Sequence, residues 1–390
     1  MSRLAAVEPR VAVDRAVGVP TGKIAVEVKR DLDLQPADTA SIEALIAAHP
    51  HVGVFVSRAW LSGLFEEPPL GEEPMLLLLR DGHVLRGVVP VSILRARTHV
   101  RVGLLGGAAG SDRVDLLAAR GFETACADAF LAWVADTYGR HGFVIRLRDV
   151  PAESPLWGAI HRGNAEGTRR LACQPRDMYT LPYLELAEAR GHSLKSLDKH
   201  RRWLERRGRL RIEVLQDPAE ALAAYESLTA FLHARWSGHG EGSALDVPRI
   251  DRFHRRVIPL LLKDDRLRMM RLSIDMRTVA VFYGMAAGNW WGYYLAGFDR
   301  EWAGRIHLGK VMLAAAIDLA SREGAREFDF LKGVEAVKYL WPVRERSSVD
   351  ADAYSAHWGS QLHRAGRASR NAVAACVKSA RHLSSALTWR

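Results

Sequence analysis

Trp290-Trp291-Gly292-Tyr293-Tyr294-Leu295, closing at Gly297-Phe298-Asp299, is the stretch whose reading decides the fold. A run so rich in aromatic residues suits a pleated, half-buried strand, and it leaves an acid, Asp299, at the strand end. After a short link, residues 309–322 read as a helix: Leu308, Met312, Ala315 and Leu319 are spaced as an apolar stripe, and Gly324 follows as a stop. Residues 327–331 form a short buried strand that runs into Gly333, Glu335, Lys338, Tyr339 and Trp341. Strand, loop, helix and strand in this order make a crossover between parallel strands, so the helix N-terminus faces the loop between Asp299 and Gly309. Such an end attracts anions. Arg305, His307 and Lys310 gather there, although the helix dipole disfavours cations in a first turn. A bound phosphate would remove the conflict; three side chains reaching into water account for it equally well.

Working upstream, residues 267–274 and 279–287 form a hairpin around Asp275-Met276-Arg277, with the aromatic strand as its third member. Two helices precede it, 218–236 behind an Asp217 cap and 247–262. The same succession occurs earlier in the chain. Helices at 38–48, capped by Asp38 or Thr39, and at 58–65 lead to a hairpin over 74–94, a strand at 100–105, a helix at 122–138 and a strand at 143–147. Residues 40–148 and 218–331 therefore repeat one pattern. It predicts an α/β protein of two tandem units with mixed, mostly antiparallel sheets flanked by helices and a cleft between them. The expected divisions are a loose tail at 1–22, units at 23–180 and 181–350, and a basic helical tail at 351–390.

The rest of the sequence narrows the chemistry. Gly106-Gly107-Ala108-Ala109-Gly110 has neither the lysine of a phosphate loop nor dinucleotide spacing and reads as a tight turn. Asp112 and Asp115 after it read as solvated loop acids, because nothing nearby completes a hard-metal site. His233, His239 and His254 lack zinc-ligand spacing, and no metal is expected. Three scattered cysteines exclude a disulfide framework and fit a reducing cytoplasm. No apolar run is long enough to span a bilayer and no signal-peptide pattern opens the chain. With 55 basic against 45 acidic residues the net charge is +10, which favours anionic partners: nucleotide cofactors, an acidic carrier protein, RNA or an anionic membrane surface. A basic helix at 193–207 sets Lys195, Lys199, Arg202 and Arg206 on one face, toward solvent or toward such a ligand.

Gly297-Phe298-Asp299, the lone Gly309 opening an Ala/Leu-rich helix, and Asp329-Phe330-Leu331-Lys332-Gly333 with Tyr339 and Trp341 resemble the signature of CelD-like acyltransferases. That is a branch of the GNAT superfamily related to the FemAB aminoacyltransferases, and the resemblance covers roughly 55–344. It departs from the usual pattern in offering a single glycine in Arg305-Ile306-His307-Leu308-Gly309-Lys310 and in having Val337 where a tyrosine is common. The resemblance implies splayed strands whose backbone N–H groups hold a thioester donor, acyl-coenzyme A or an acyl-carrier protein, for direct attack by an amine. Arg305, His307, Gly309 and Lys310 would hold the donor. Asp299 is the first candidate for base or amine ligand and Glu335 the second, with His307 and His254 as other proton carriers. Lys338 either neutralises a phosphate or carboxylate or pairs with Glu335. Lys195, Arg202, Trp236 and Tyr293 are expected substrate contacts. The acceptor would be an amine of a sugar, an amino acid or an envelope precursor, with the enzyme in the cytoplasm or at the inner membrane face. Two further readings stay open: transfer from aminoacyl-tRNA, and a non-catalytic binding protein on the same fold.

Overall fold

A computed structural model describes residues 22–107, 110–166, 171–189, 201–237, 244–303 and 307–369. Expectations for the tail at 1–21, for Lys195, for Arg305 and for residues 370–390 lie outside these. The first unit runs β1 (Ala25–Lys29), α1 (Pro36–Ala48), α2 (Arg58–Glu66), β2 (Glu72–Asp81), β3 (Val84–Arg95), β4 (Val100–Leu104), α3 (Glu123–Tyr138), β5 (Phe143–Pro151), α4 (Pro155–Ala165) and β6 (Ala172–Glu185). The second repeats this order as β7 (Leu210–Val214), α5 (Pro218–Ser237), α6 (Pro248–Lys263), β8 (Leu267–Ile274), β9 (Arg277–Ala287), β10 (Trp290–Phe298), α7 (Leu308–Arg322), β11 (Glu327–Asp329) and β12 (Arg344–Tyr354). These are two tandem α/β units of the kind the repeat predicts.

Their strands join in one sheet, ordered β1-β2-β3-β4-β5-β12-β6-β11-β10-β9-β8-β7. Each unit thus sends its last strand across to the other: β12 lies against β5, β6 lies against β11, and the two crossing strands pair antiparallel at the centre. Among the described residues only β4 with β5 and β10 with β11 are parallel, one such pair in each unit. The larger core cluster takes in the first unit together with the α5–α6 side of the second, while a separate cluster lies on the α7 side. Helices α2 and α6 meet at Gly63, where an added Cβ would fall 2.4 Å from Val257, so only glycine permits the approach. Trp60 then packs edge-on to Phe253 at 4.9 Å.

Three local expectations change. Helix α1 begins at Pro36 with Gln35 in the cap position, and Asp38 is instead buried one turn in, 2.8 Å from Arg80. Helix α7 buries Leu308, Val311, Met312, Leu313, Ala316, Ile317 and Ala320, leaving Ala315 and Leu319 on its flank. Residues 351–354, expected to open the basic helical tail, instead complete a central strand that begins at Arg344 and is paired on both sides.

Candidate active site

The parallel pairing of β10 with β11 covers Trp290 to Gly292 and stops, because β11 ends at Asp329 while β10 continues to Phe298. Six residues of β10 therefore present an edge that β11 does not cover. Within this overhang, Tyr283 of β9 faces Leu295 and Gly284 faces Tyr293, so Tyr294 is the extra residue of a β-bulge. Tyr294 and Leu295 both turn to the larger core, whereas Tyr293 and Phe298 join the α7-side cluster. The bulge breaks the alternation that would put Tyr293, Leu295 and Asp299 on one face.

The N-terminus of α7 opens beside this edge. His307 occupies the cap position without a side-chain cap, and no acid sits in the first turn. With Phe298, Ala336, Val337 and Leu340, residues His307, Leu308, Gly309 and Lys310 line an open depression of about 430 Å³. A Cβ on Gly309 would approach the Phe298 ring to 3.3 Å, so the glycine keeps this wall low. Three of the four expected donor contacts are brought together here. The Trp203 and Trp302 rings meet at 6.1 Å, which sets the basic segment carrying Arg202 against the loop leading to α7. Trp236 belongs to the last turn of α5, and its side chain lies outside the description.

The other expected residues are occupied differently. Asp299 Oδ2 lies 2.6 Å from Arg277, and its Oδ1 accepts from the Glu301 amide at 3.0 Å, a turn-forming arrangement. Lys338 is buried; its ammonium donates to the Lys332 and Gly333 carbonyls at 2.8 and 3.2 Å and pairs with Glu335 at 2.8 Å. Those partners use all three of its donors, so Lys338 and Glu335 together fasten the loop after β11. His254 is buried among Trp60, Phe253, Tyr225 and Tyr283, and burial lowers its pKa to about 3, which keeps it neutral.

A second group of residues, missed in the sequence, meets where the units join. Asp329 at the end of β11 lies 2.5 Å from Arg113 of the first unit and 3.4 Å from Arg346 of β12, and accepts from Trp290 Nε1 and the Leu331 amide. Burial pushes the Asp329 pKa up, but the two guanidinium groups more than offset this and hold it below the usual carboxylate range. Asp149 of β5 receives the Ser348 hydroxyl and has Lys332 at 3.5 Å; Lys332 also sits 3.9 Å over the Tyr179 ring. Asp115 is buried and Asp112 half-buried, so neither is the freely solvated loop acid expected. Burial, then the charge of Asp149, raises Asp112 to about 7. Burial likewise raises Asp115 to about 7, although Ser154 and the Leu116 amide donate to it. His51 is lowered to about 4 by burial, then by Arg113 and Arg346.

Arg113, Asp149 and Leu331 all adopt left-handed backbone, with φ of 52°, 51° and 52°. Each costs about 1 kcal/mol or more in a non-glycine residue, and such strain gathers at functional sites. The Tyr294 hydroxyl donates to the Gly110 carbonyl at 2.6 Å, so the loop carrying Asp112 and Arg113 lies against the overhang of β10. Signals for this group were present: Lys332 falls inside a family-like motif, and two acids flank Val114 and Arg113. Their surroundings come from residues distant in sequence, Ser154 for Asp115 and Asp149, Lys332 and Asp329 for Asp112.

Among the described residues no group of three or more His, Cys, Asp or Glu is placed to hold a metal ion, and no helix is long and apolar enough to cross a membrane. Residues 191–339 match the family model described as an acetyltransferase (GNAT) domain. No curated protein matches the chain. Solved structures similar to it include FemX, at 11% identity and a TM-score of 0.60 over 87% of this chain and 99% of that one. A conserved protein of unknown function from Bacteroides thetaiotaomicron is similar at 14% identity and 0.52, over 85% and 100% of the two chains. A tandem GNAT protein from the clavulanic acid pathway gives 13% and 0.48, over 85% and 98%. The uncovered edge of β10 and the helix N-terminus beside it both fall inside the segment that matches this domain model, which marks the chain as an acyltransferase.

Proposed function

We propose that the protein is an N-acyltransferase that moves an acyl group from a thioester donor directly to an amine. The observation that carries this reading is the overhang of β10 beside the depression at α7, lying against the loop of Asp112 and Arg113. Backbone groups of residues 293–298 would hold the donor carbonyl, and the N-terminus of α7 with Lys310 would hold its phosphates. The acceptor amine would enter from the junction. There Asp112, poised near neutrality, takes its proton, with Asp149 and Lys332 adjacent. We prefer Asp112 to Asp299 for this role because both Asp299 oxygens are already engaged. Direct attack also suits the two described cysteines: burial raises Cys126 to about 12 and Cys173 to about 11, so neither offers a thiolate at neutral pH.

Coenzyme A and an acyl-carrier protein both fit as donor, and the acceptor is an amine of a sugar, an amino acid or an envelope precursor. A second reading, transfer from aminoacyl-tRNA, is favoured by the exposed arginines 201, 202, 206, 207, 209 and 211 and by the +10 charge. Release of free thiol on mixing with acyl-coenzyme A and an amine panel tests the first reading. No thiol release, together with salt-sensitive tRNA binding and transfer from charged tRNA, would replace it by the second.

A further inference from the structure

Arg113 is 1% exposed, yet among the described residues only Asp329 contacts its guanidinium, and Nε and Nη1 are buried with no hydrogen-bond partner. Leaving such donors unpaired is costly, and the strained backbone of Arg113 adds to that cost. Asp329 engages only Nη2 of this arginine and is also served by Trp290, the Leu331 amide and Arg346, so Nε and Nη1 are not needed to hold it. The surroundings are bipolar. On one side two guanidinium groups, those of Arg113 and Arg346, meet at the single carboxylate of Asp329. One residue away, Asp112 lies within electrostatic reach of Asp149, which Lys332 flanks at 3.5 Å. Asp112 itself keeps partial access to solvent, so the negative side is reachable.

We propose that the acceptor is an amine bearing a carboxylate, an amino acid or a peptide with a free acid, whose carboxylate takes the unpaired guanidinium donors of Arg113 while its amine faces Asp112. Two charge-assisted bonds from a fixed fork suit a carboxylate well. This rests on the junction being the acceptor side of the acyl-transfer site. In the reaction the amine nitrogen bonds to the thioester carbonyl carbon, the carbon–sulfur bond breaks, the thiolate leaves and is protonated, and the proton shed by nitrogen goes to Asp112.

The test compares L-amino acids and short peptides with the same molecules as C-terminal amides, and with phosphoethanolamine and glucosamine, using acetyl-coenzyme A and thiol release. In parallel, the shift in melting temperature that each compound produces is measured without donor. The free acids should exceed their amides by roughly tenfold or more in kcat/KM, mainly through KM, the discrimination expected of a site built around a buried polar group. The preference should fall to about twofold in Arg113→Met and partly return in Arg113→Lys. Arg113→Met may be read only if folded, and the acid–amide comparison on the unaltered protein stands without it. Amides, phosphoethanolamine or glucosamine matching or exceeding the acids in both turnover and melting shift would overturn the proposal. Acid-selective stabilisation lost in Arg113→Met, with no thiol released from any amine, would support acid recognition at Arg113 and refute the acyl-coenzyme A reading instead.

Discussion

The two parallel strand pairs occupy equivalent places in the two units and have been put to different use. In the second unit, β10 outruns β11 and leaves an open edge beside an α7 N-terminus that has no acid in its first turn. In the first, β4 pairs with β5 over Val100–Gly103 and ends one residue later, so no comparable overhang exists. Helix α3, the counterpart of α7, carries Glu123 in its first turn, whose carboxylate accepts from the Gly121 amide at 2.8 Å. Phe122 at its cap position is buried, with the Arg86 guanidinium 4.4 Å over its ring. An anion is thus welcome at one helix and repelled at the other. The first unit has instead used its strand-to-helix loop to build the wall that faces the second unit. On the proposed reading the second unit holds the donor, and the acceptor approaches along the wall built by the first.

The sharpest way to break this division is to move the proton acceptor. Asp112→Asn should lower turnover by about 10²–10⁴-fold, the usual worth of a positioned base. In the unaltered enzyme, activity should rise with pH about a midpoint near 7, because Asp112 accepts a proton only when ionised and its pKa is raised to about 7. That rise should vanish in the variant. Asp299→Asn should stay within about twofold of the parent, since asparagine serves a turn nearly as well. The opposite ranking would return catalysis to the second unit alone.

Lys338 asks whether the loop after β11 is a ligand or a fastening. Lys338→Met leaves two carbonyls without their donor and should cost about 1–3 kcal/mol in denaturant unfolding. Loss of donor binding at full stability would instead make Lys338 a donor contact. Gly309→Val, by crowding Phe298, should weaken donor KM by roughly tenfold with little change in stability. The matched change in the first unit, Glu123→Gln, should leave donor KM alone. Equal effects would mean that both helices still bind donor.

How much of this was legible follows the range of the forces involved. The crossover β10–α7–β11 and both hairpins were readable because aromatic runs, helical spacing and turn residues are local. Strand β12 was not. Arg344-Glu345-Arg346-Ser347-Ser348-Val349-Asp350-Ala351-Asp352-Ala353-Tyr354 has only small apolar residues on one face, and its charges are matched by Arg146, Arg148 and Asp329 from distant strands. Without those partners no strand shows, and the last residues of the segment read as the start of a helical tail. Asp112 and Asp115 failed because an acid after a glycine bend is normally solvated, whereas Asp115 is enclosed by residues 39 positions on, at Ser154, and Asp112 lies near Lys332 and Asp329 of the other unit. The bulge at Tyr294 lies close to Gly292 and opposite Gly284, but a glycine inside a strand does not fix which residue is the extra one, so parity along β10 could not be counted from sequence.

Asp115 offers the gentlest test, because it fastens the loop that the first unit turned into a wall, as Asp299 fastens the equivalent loop in the second. Asp299 does so through Arg277, more than half exposed, whereas Asp115 is buried and receives only a hydroxyl and an amide. Its folded pKa of about 7 lies above the ordinary value of 3.8. Protons are therefore bound more tightly in the folded state, and Asp115 weakens the fold progressively as pH rises from about 4 to about 7, with the full cost present above that. Asp115→Asn keeps an acceptor for Ser154 and Leu116 and removes the buried charge. Relative to the parent, the variant should gain stability across that window, on the order of 1 kcal/mol after relaxation, and the difference should be flat above it. Chemical denaturation at pH 4.5, 6 and 8 measures the slope. A difference that stays constant over the three values would mean that Asp115 is ionised throughout, and that the wall is held by charge in the same manner as its counterpart.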